Sequence, residues 1–270
     1  MTMAEIVAVG NELLSGDVLD TNTNWLCKEV TTLGGQMRRT VMVGDELEAI
    51  AHELQAALGR GTDVIFTTGG LGATDDDMTL AAVAQSINAA LEENTQALAF
   101  VRSRYEELAE KGYVNRAELT QERRKMAILP RGALPLTNPV GSAPGVLLRT
   151  GKTTIICLPG VPQELKGIFT TSLQPVLQGL FGESVFVERM ILVECGDEAV
   201  LAPIIKTVAE SHPSIYVKSW AEGFGPDVKL KITLSLAGRD RDEVDSTLGQ
   251  VLHDLEQALA TAGISVASVE

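Results

Sequence analysis

Two rhythms of apolar and polar residues organise the chain. Early on, short apolar runs alternate with stretches whose apolar residues recur at helical spacing, as when strands of a parallel sheet feed crossover helices. EIVAVG, residues 5–10, predicts a buried strand. DTNTNWLCKEVTTLGG then places Trp25, Leu26, Val30 and Leu33 on one helical face, with Asp20 or Thr21 as the cap and Gly34 and Gly35 as the stop. QMRRTVMVGD reads as a second strand, ELEAIAHELQAALG as a second helix with Leu47, Ile50, Leu54 and Leu58 inward, and TDVIFTTGG as a third strand. The order is βαβαβ.

Further on, a helix opens near Met78, residues 92–126 carry helical spacing, and LPRGALPLTNPVGSAPG, dense in Pro and Gly, reads as a long loop. GVLLRT and TTIICLPG predict two strands, and VPQELKGIFTTSLQPVLQGLFG one helix with Pro162 in its first turn. At Gly182 the rhythm changes. Strands expected at 185–194, 215–220 and 228–237, helices at 198–210 and 241–261, and a short final strand give the βαββαβ order of a split-βαβ, ferredoxin-like domain. The expected architecture is a three-layer αβα domain with a mostly parallel sheet over residues 1–181, followed by a small α+β domain over 182–270.

Composition narrows the partners. The 270 residues are 45% apolar and 21% charged, an ordinary globular balance for about two domains. With 22 Lys plus Arg against 36 Asp plus Glu, the net charge of -14 argues against nucleic-acid binding, which relies on basic patches releasing counterions. A small anion held by local dipoles or a metal remains compatible. No apolar stretch reaches the roughly 20 residues of a membrane span. MTMAEIVAVGNELL lacks the features of a secretory leader, so a cytoplasmic protein without a membrane partner is expected. Cys27, Cys157 and Cys195 are scattered and suggest neither disulfides nor zinc.

The chemistry concentrates in TTGGLGATDDDMT, residues 67–79, just beyond the carboxyl end of the third strand, where open α/β sheets hold ligands. Gly69, Gly70 and Gly72 let backbone approach a ligand closely, and with Thr74 and the following helix they suit a phosphate. The same glycines also serve simply to turn a strand into a helix. The stretch is neither a Walker A loop nor a complete G-x-G-x-x-G. Asp75, Asp76 and Asp77 would repel bare phosphate, and a divalent cation reconciles the two halves. Asp76 and Asp77, with Asp45 of VGDE on the same sheet edge, are the candidate metal ligands and catalytic acids. In purely local terms, one of the three aspartates caps a helix and Asp45 caps the helix that follows it. GNELLSGDVLDTN offers Asn11, Glu12, Ser15, Asp20 and Asn22 to a ribose or a base. NPVGSAPG offers Asn138, Gly141 and Ser142 to phosphate, and LPGVPQE sets Gly160 and Glu164 nearby. His52, His212 and His253 form no metal motif, and a serine-hydrolase elbow is missing.

GNELLSGDVLDTNTNWL, VGDELEAI, TTGGLGATDDDMT, NPVGSAPG and LPGVPQE occur in an order that resembles the N-terminal module of the competence/damage-inducible CinA family, over residues 1 to about 265. That module is similar in fold to molybdopterin-binding and molybdopterin adenylyltransferase (MoaB/Mog-like) proteins. The resemblance implies a metal-dependent ADP-ribose pyrophosphatase using Mg²⁺, Mn²⁺ or Co²⁺ and stimulated by potassium, acting as a homodimer on a small nucleotide diphosphate. It also implies that the amidase domain of longer members would be a separate protein here. Residue by residue, GGLG and Thr74 match the family's phosphate loop, Asp77 its metal-linked aspartate, and Asp45 its second functional acid. Where the family reads G-P-T-H-D-D, this chain has Ala73 for the proline and Asp75 for the histidine. Three functions are therefore expected to compete: diphosphate hydrolysis, binding and adenylylation of molybdopterin, and non-catalytic nucleotide sensing.

Overall fold

The computed structural model describes residues 2–182, 185–220 and 229–270. The chain divides into two compact units, Met1–Thr31 with Gly35–Phe181, and Gly182–Glu270 with Thr32–Gly34. Glu183, where the rhythm of the sequence changes, lies outside the described residues.

The first unit begins β1 (Met3–Val9), α1 (Asn11–Ser15), α2 (Thr21–Thr32), β2 (Gln36–Val43), α3 (Leu47–Gly59), β3 (Val64–Thr68) and α4 (Thr79–Ser86). It continues with β4 (Leu91–Glu93), α5 (Thr95–Glu110), α6 (Gln121–Lys125), β5 (Ile128–Pro130), β6 (Leu134–Leu136), β7 (Gly145–Thr150), β8 (Thr153–Leu158), α7 (Pro162–Ile168) and α8 (Gln174–Phe181). The main sheet runs β2-β1-β3-β8-β7-β6. Its first four strands are parallel, with Ile6 beside Thr40 and Phe66, and Phe66 beside Ile156. β7 runs antiparallel to both β8 and β6. The result is the expected mostly parallel sheet between helical layers. On one face Val7, Val9, Ile65, Ile155 and Cys157 meet Ile50 and Leu54 of α3, Val83 of α4 and Val101 of α5. On the other, α2 buries Leu26 and Val30, and Trp25 packs edge-on against Phe169 at 4.9 Å between ring centroids. Each such fully buried aliphatic or aromatic side chain contributes about 1.5–3 kcal/mol.

Three local expectations give way to tertiary structure. The helix expected over 92–126 is broken into α5 and α6, with the end of β4 before them. Asn94 caps α5 by accepting from the amides of Gln96 and Ala97, and Gly112 at φ 73 closes it, with Tyr113 N–H reaching back to the Leu108 carbonyl. The Pro/Gly-rich segment contains β5 and β6, the latter tolerating Pro135 because it is an edge strand. The last helix is interrupted by a π-helical turn, Phe169–Leu173, between α7 and α8. This turn precedes Pro175, which has no N–H to give and whose ring would crowd the carbonyl four residues back.

One charge lies inside the sheet. Glu5 of β1 is 2% exposed and accepts two bonds from Arg60 (3.0 and 2.6 Å) and one from Thr62 (2.6 Å). Burial pushes its carboxyl up. The bonds from Arg60 and Thr62 and the charges of Arg60 and Arg38 outweigh that and hold it below its ordinary value.

The second unit is β9 (Val185–Val193), α9 (Glu198–Ser211), β10 (Tyr216–Trp220), β11 (Leu230–Gly238), α10 (Arg241–Thr261) and β12 (Val266–Val269). Residue 228, expected to open the third of these strands, lies outside the described residues. The antiparallel order β10-β11-β9-β12 is that of the ferredoxin-like arrangement. Val244, Leu248, Val251, Leu255 and Leu259 form the stripe by which α10 joins the core, and Asp240 caps it through the amides of Asp242 and Glu243.

Candidate functional site

β3 hands over to α4 through the glycine turn. Gly69 (φ 91) and Gly70 (φ 67) occupy the left-handed region. A Cβ on Gly69 would strike the Val9 carbonyl, and one on Gly70 the Thr79 hydroxyl, so both positions require glycine. Three bonds fasten the turn. Gly69 N–H donates to the Leu158 carbonyl of β8 (2.9 Å), Thr79 Oγ1 donates to the Gly69 carbonyl (2.8 Å), and Thr79 N–H donates to the Gly70 carbonyl (3.2 Å). The Gly69 amide is therefore taken up by the sheet. Among the described residues, the amides of Gly70, Leu71, Gly72 and Ala73 have no protein acceptor. α4 follows with no acid in its own first turn, Asp75, Asp76 and Asp77 standing just before it.

Asp77 closes the turn. Its Oδ2 accepts from both the amide (2.8 Å) and the hydroxyl (2.6 Å) of Thr74, and a Cβ on Gly72 would come within 2.6 Å of the same oxygen. The Thr74 amide is thus engaged as well. Asp75 and Asp76 are exposed. The Thr74 hydroxyl, the Asp76 amide and the charge of Lys125 hold the Asp76 carboxyl below its ordinary value. Lys125 itself donates to the Thr74 carbonyl, and it lines a cavity of about 220 Å³ together with Gly70, Gly72, Asp77, Leu80 and Ile128. The sequence reading missed Lys125 and Thr79. The basic run at 123–125, in an acidic chain, was the available signal for the former.

Asp45 does not cap α3, whose start at Glu46 has no side-chain cap. It accepts from Asn11 N–H at 2.8 Å while Asn11 Oδ1 accepts from Asp45 N–H at 3.3 Å, so the pair ties the end of β2 to the start of α1. Asp45, Asp76 and Asp77 are not gathered into one ligand set. Among the described residues, no group of three His, Cys, Asp or Glu side chains is arranged to hold a metal ion.

The remaining candidates divide by exposure. Ser15 is exposed and donates to Asp17 (2.7 Å). Asn22 is 8% exposed and donates to the Gly160 carbonyl (2.7 Å). Asn138, 2% exposed, organises its own loop: Nδ2 donates to the Ala143 carbonyl and to Glu164, and Oδ1 accepts from the amides of Val140 and Gly141. Glu164 packs directly on Gly141, where no Cβ fits. The Gly141 amide is consequently committed to Asn138, and Ser142 Oγ lies 3.9 Å from Met126 Sδ. Among the described residues, no helix is long and apolar enough to cross a membrane.

A family model described as a probable molybdopterin binding domain matches residues 5–179. A protein of Pyrobaculum calidifontis is 43% identical over 230 residues, 85% of this chain and 85% of its own. One of Pyrococcus horikoshii is 34% identical over 256 residues, 95% of each. Among solved structures, CinA from Thermoplasma acidophilum, whose function is given as unknown, has a TM-score of 0.59 and 34% identity, covering 65% of this chain and 99% of that one.

Proposed function

Because the chain belongs to the probable molybdopterin binding domain family, we propose that its glycine turn binds a nucleotide diphosphate and that the adjoining acids serve hydrolysis of the diphosphate linkage, as in ADP-ribose. The observation that carries this reading is the juxtaposition of four backbone amides without acceptors, at residues 70–73, with the Asp77 carboxylate fixed against Gly72. Those amides, with the N-terminus of α4 behind them, hold phosphate oxygens. Asp77 Oδ2 accepts from Thr74, and among the described residues Oδ1 has no bond to the protein. Asp76 stays ionised through its Thr74 and Lys125 neighbours. A water molecule adds to one phosphorus, the bridging P–O bond breaks, and the proton passes to a carboxylate or to solvent.

The donor set fits a hard divalent cation shared with substrate rather than a cage made by the protein. Mg²⁺ commonly takes one or two carboxylates together with substrate phosphates. Asp76 and Asp77 would hold such an ion, which when bound supplies positive charge against that developing on phosphorus. Asp77→Asn should lower AMP release from ADP-ribose, assayed with Mg²⁺, Mn²⁺ or Co²⁺, by about 100-fold or more while leaving the fold intact. Turnover at the unmutated rate would overturn the assignment. The family description favours molybdopterin binding, and a second reading adds its adenylylation, which incubation with ATP and molybdopterin tests: no adenylylated pterin would eliminate it.

A further inference from the structure

A second cavity, of about 70 Å³, opens at the same sheet edge, lined by Val9, Leu13, Leu19, Asp20, Asn22 and Gly160 among others. Thr68, the last residue of β3 before the glycine turn, also lines it, and a Cβ added to Gly160 would lie 3.5 Å from the Gly69 Cα. The cavity is therefore contiguous with the phosphate turn. Its volume is roughly twice the ~30 Å³ that one water occupies in the liquid, room for a small polar group.

Two acceptors are built into its wall. Asp20 caps α2 with Oδ1, which accepts Thr23 N–H at 2.9 Å, and its Oδ2 is buried without a partner. Asn22 must turn Nδ2 toward the Gly160 carbonyl, which can only accept, so its Oδ1 is the end left over, and it too is buried without a partner. Each side chain is thus fixed by one atom and leaves the other buried and unpaired. Buried acceptors left unsatisfied are costly, and a pair of them calls for a ligand carrying adjacent donors. The donor-rich neighbour of a phosphate in a nucleotide is its sugar.

Building on the nucleotide reading above, we propose that Asp20 and Asn22 form a ribose subsite, their free oxygens accepting from the vicinal hydroxyls of a ribose whose phosphate rests on the glycine turn. Asp20→Asn is the sharp test, because asparagine keeps the helix cap while replacing the free acceptor by an NH₂ donor. Calorimetry on the full chain would compare AMP, 2′-deoxy-AMP, ribose 5-phosphate and inorganic phosphate. Asp20→Asn should weaken AMP and ribose 5-phosphate by about ten-fold or more and leave inorganic phosphate unchanged, and the unmutated protein should disfavour 2′-deoxy-AMP to a similar degree. If AMP and 2′-deoxy-AMP bind equally well, the ribose subsite is refuted and the nucleotide reading stands. If ribose 5-phosphate binds in an Asp20-dependent way and AMP does not bind, the nucleotide reading fails and the subsite survives. Binding of neither overturns both.

Discussion

Thr79→Val isolates the bond that clamps the glycine turn. Valine matches threonine in shape, so the substitution opens no cavity, but it removes the donor of the 2.8 Å bond to the Gly69 carbonyl. Thr79 is 0% exposed, so water cannot replace that donor. Leaving one buried carbonyl unsatisfied costs about 1–3 kcal/mol. With a urea slope of about 2 kcal/mol per M, the midpoint should fall by about 0.5–1.5 M with the slope unchanged. Trp25, packed on Phe169, reports unfolding of the first unit when Trp220 of the second is replaced by Phe. AMP binding should weaken in parallel, because the Gly70–Ala73 amides lose their anchor, and Thr79→Ser should retain it. Unfolding of Thr79→Val at the unmutated midpoint would refute the clamp.

Three further outcomes are expected. Arg60→Ala strands the buried Glu5 carboxylate and should cost about 3 kcal/mol, the low end for a broken buried pair because Arg60 is itself 28% exposed. In the unmutated protein the lowered Glu5 carboxyl contributes stability that is present above its ordinary value of 4.5 and is lost as pH falls through the lowered one; Arg60→Ala removes that contribution, so its stability deficit should shrink as pH falls, as urea unfolding followed by circular dichroism at several pH values would reveal. Gly72→Ala sets a methyl 2.6 Å from Asp77 Oδ2 and should reduce ADP-ribose turnover about ten-fold or more with little change in thermal midpoint, whereas full activity would detach Asp77 from the chemistry. Burial pushes the Cys157 thiol up to about 11, and burial and the Asp20 charge raise the half-buried Cys27 thiol, so mass spectrometry after brief iodoacetamide treatment should find Cys195 labelled first, Cys27 more slowly and Cys157 untouched until urea is added.

What the sequence revealed and what it hid follow from the range of the interactions involved. Apolar periodicity located β1, β2, β3, β7 and β8 of the main sheet and the stripe of α10, because burial on one face writes itself into neighbouring residues. Asp20 was legible as a cap because its partner, Thr23, is three residues away. Asp45 reads as a metal-ligand and catalytic candidate or, in local terms, as a helix cap, whereas its partner is Asn11 across the sheet edge, which local spacing cannot see. β6 was hidden by its prolines and glycines and exists through pairing with β7. The glycine turn was legible as the link from strand to helix, but the assignment of each amide was not. Only the neighbouring β8 reveals that Gly69 is bonded into the sheet while residues 70–73 remain free.

The pairing of β3 with β8 also sets an order of events during synthesis. β1, β2 and β3 are all made by residue 68, yet the strand that completes the turn spans Thr153–Leu158, and Val64 pairs with Thr154 across that whole interval. Contacts so distant in sequence form late and slowly, since the intervening chain must be closed before they form. A nascent chain that has emerged only as far as α5 therefore carries the complete glycine and aspartate stretch without the Leu158 carbonyl that positions it. If the turn binds as proposed, binding competence should appear as a step when β8 leaves the ribosome, well after the last residue of the glycine and aspartate stretch has been synthesised.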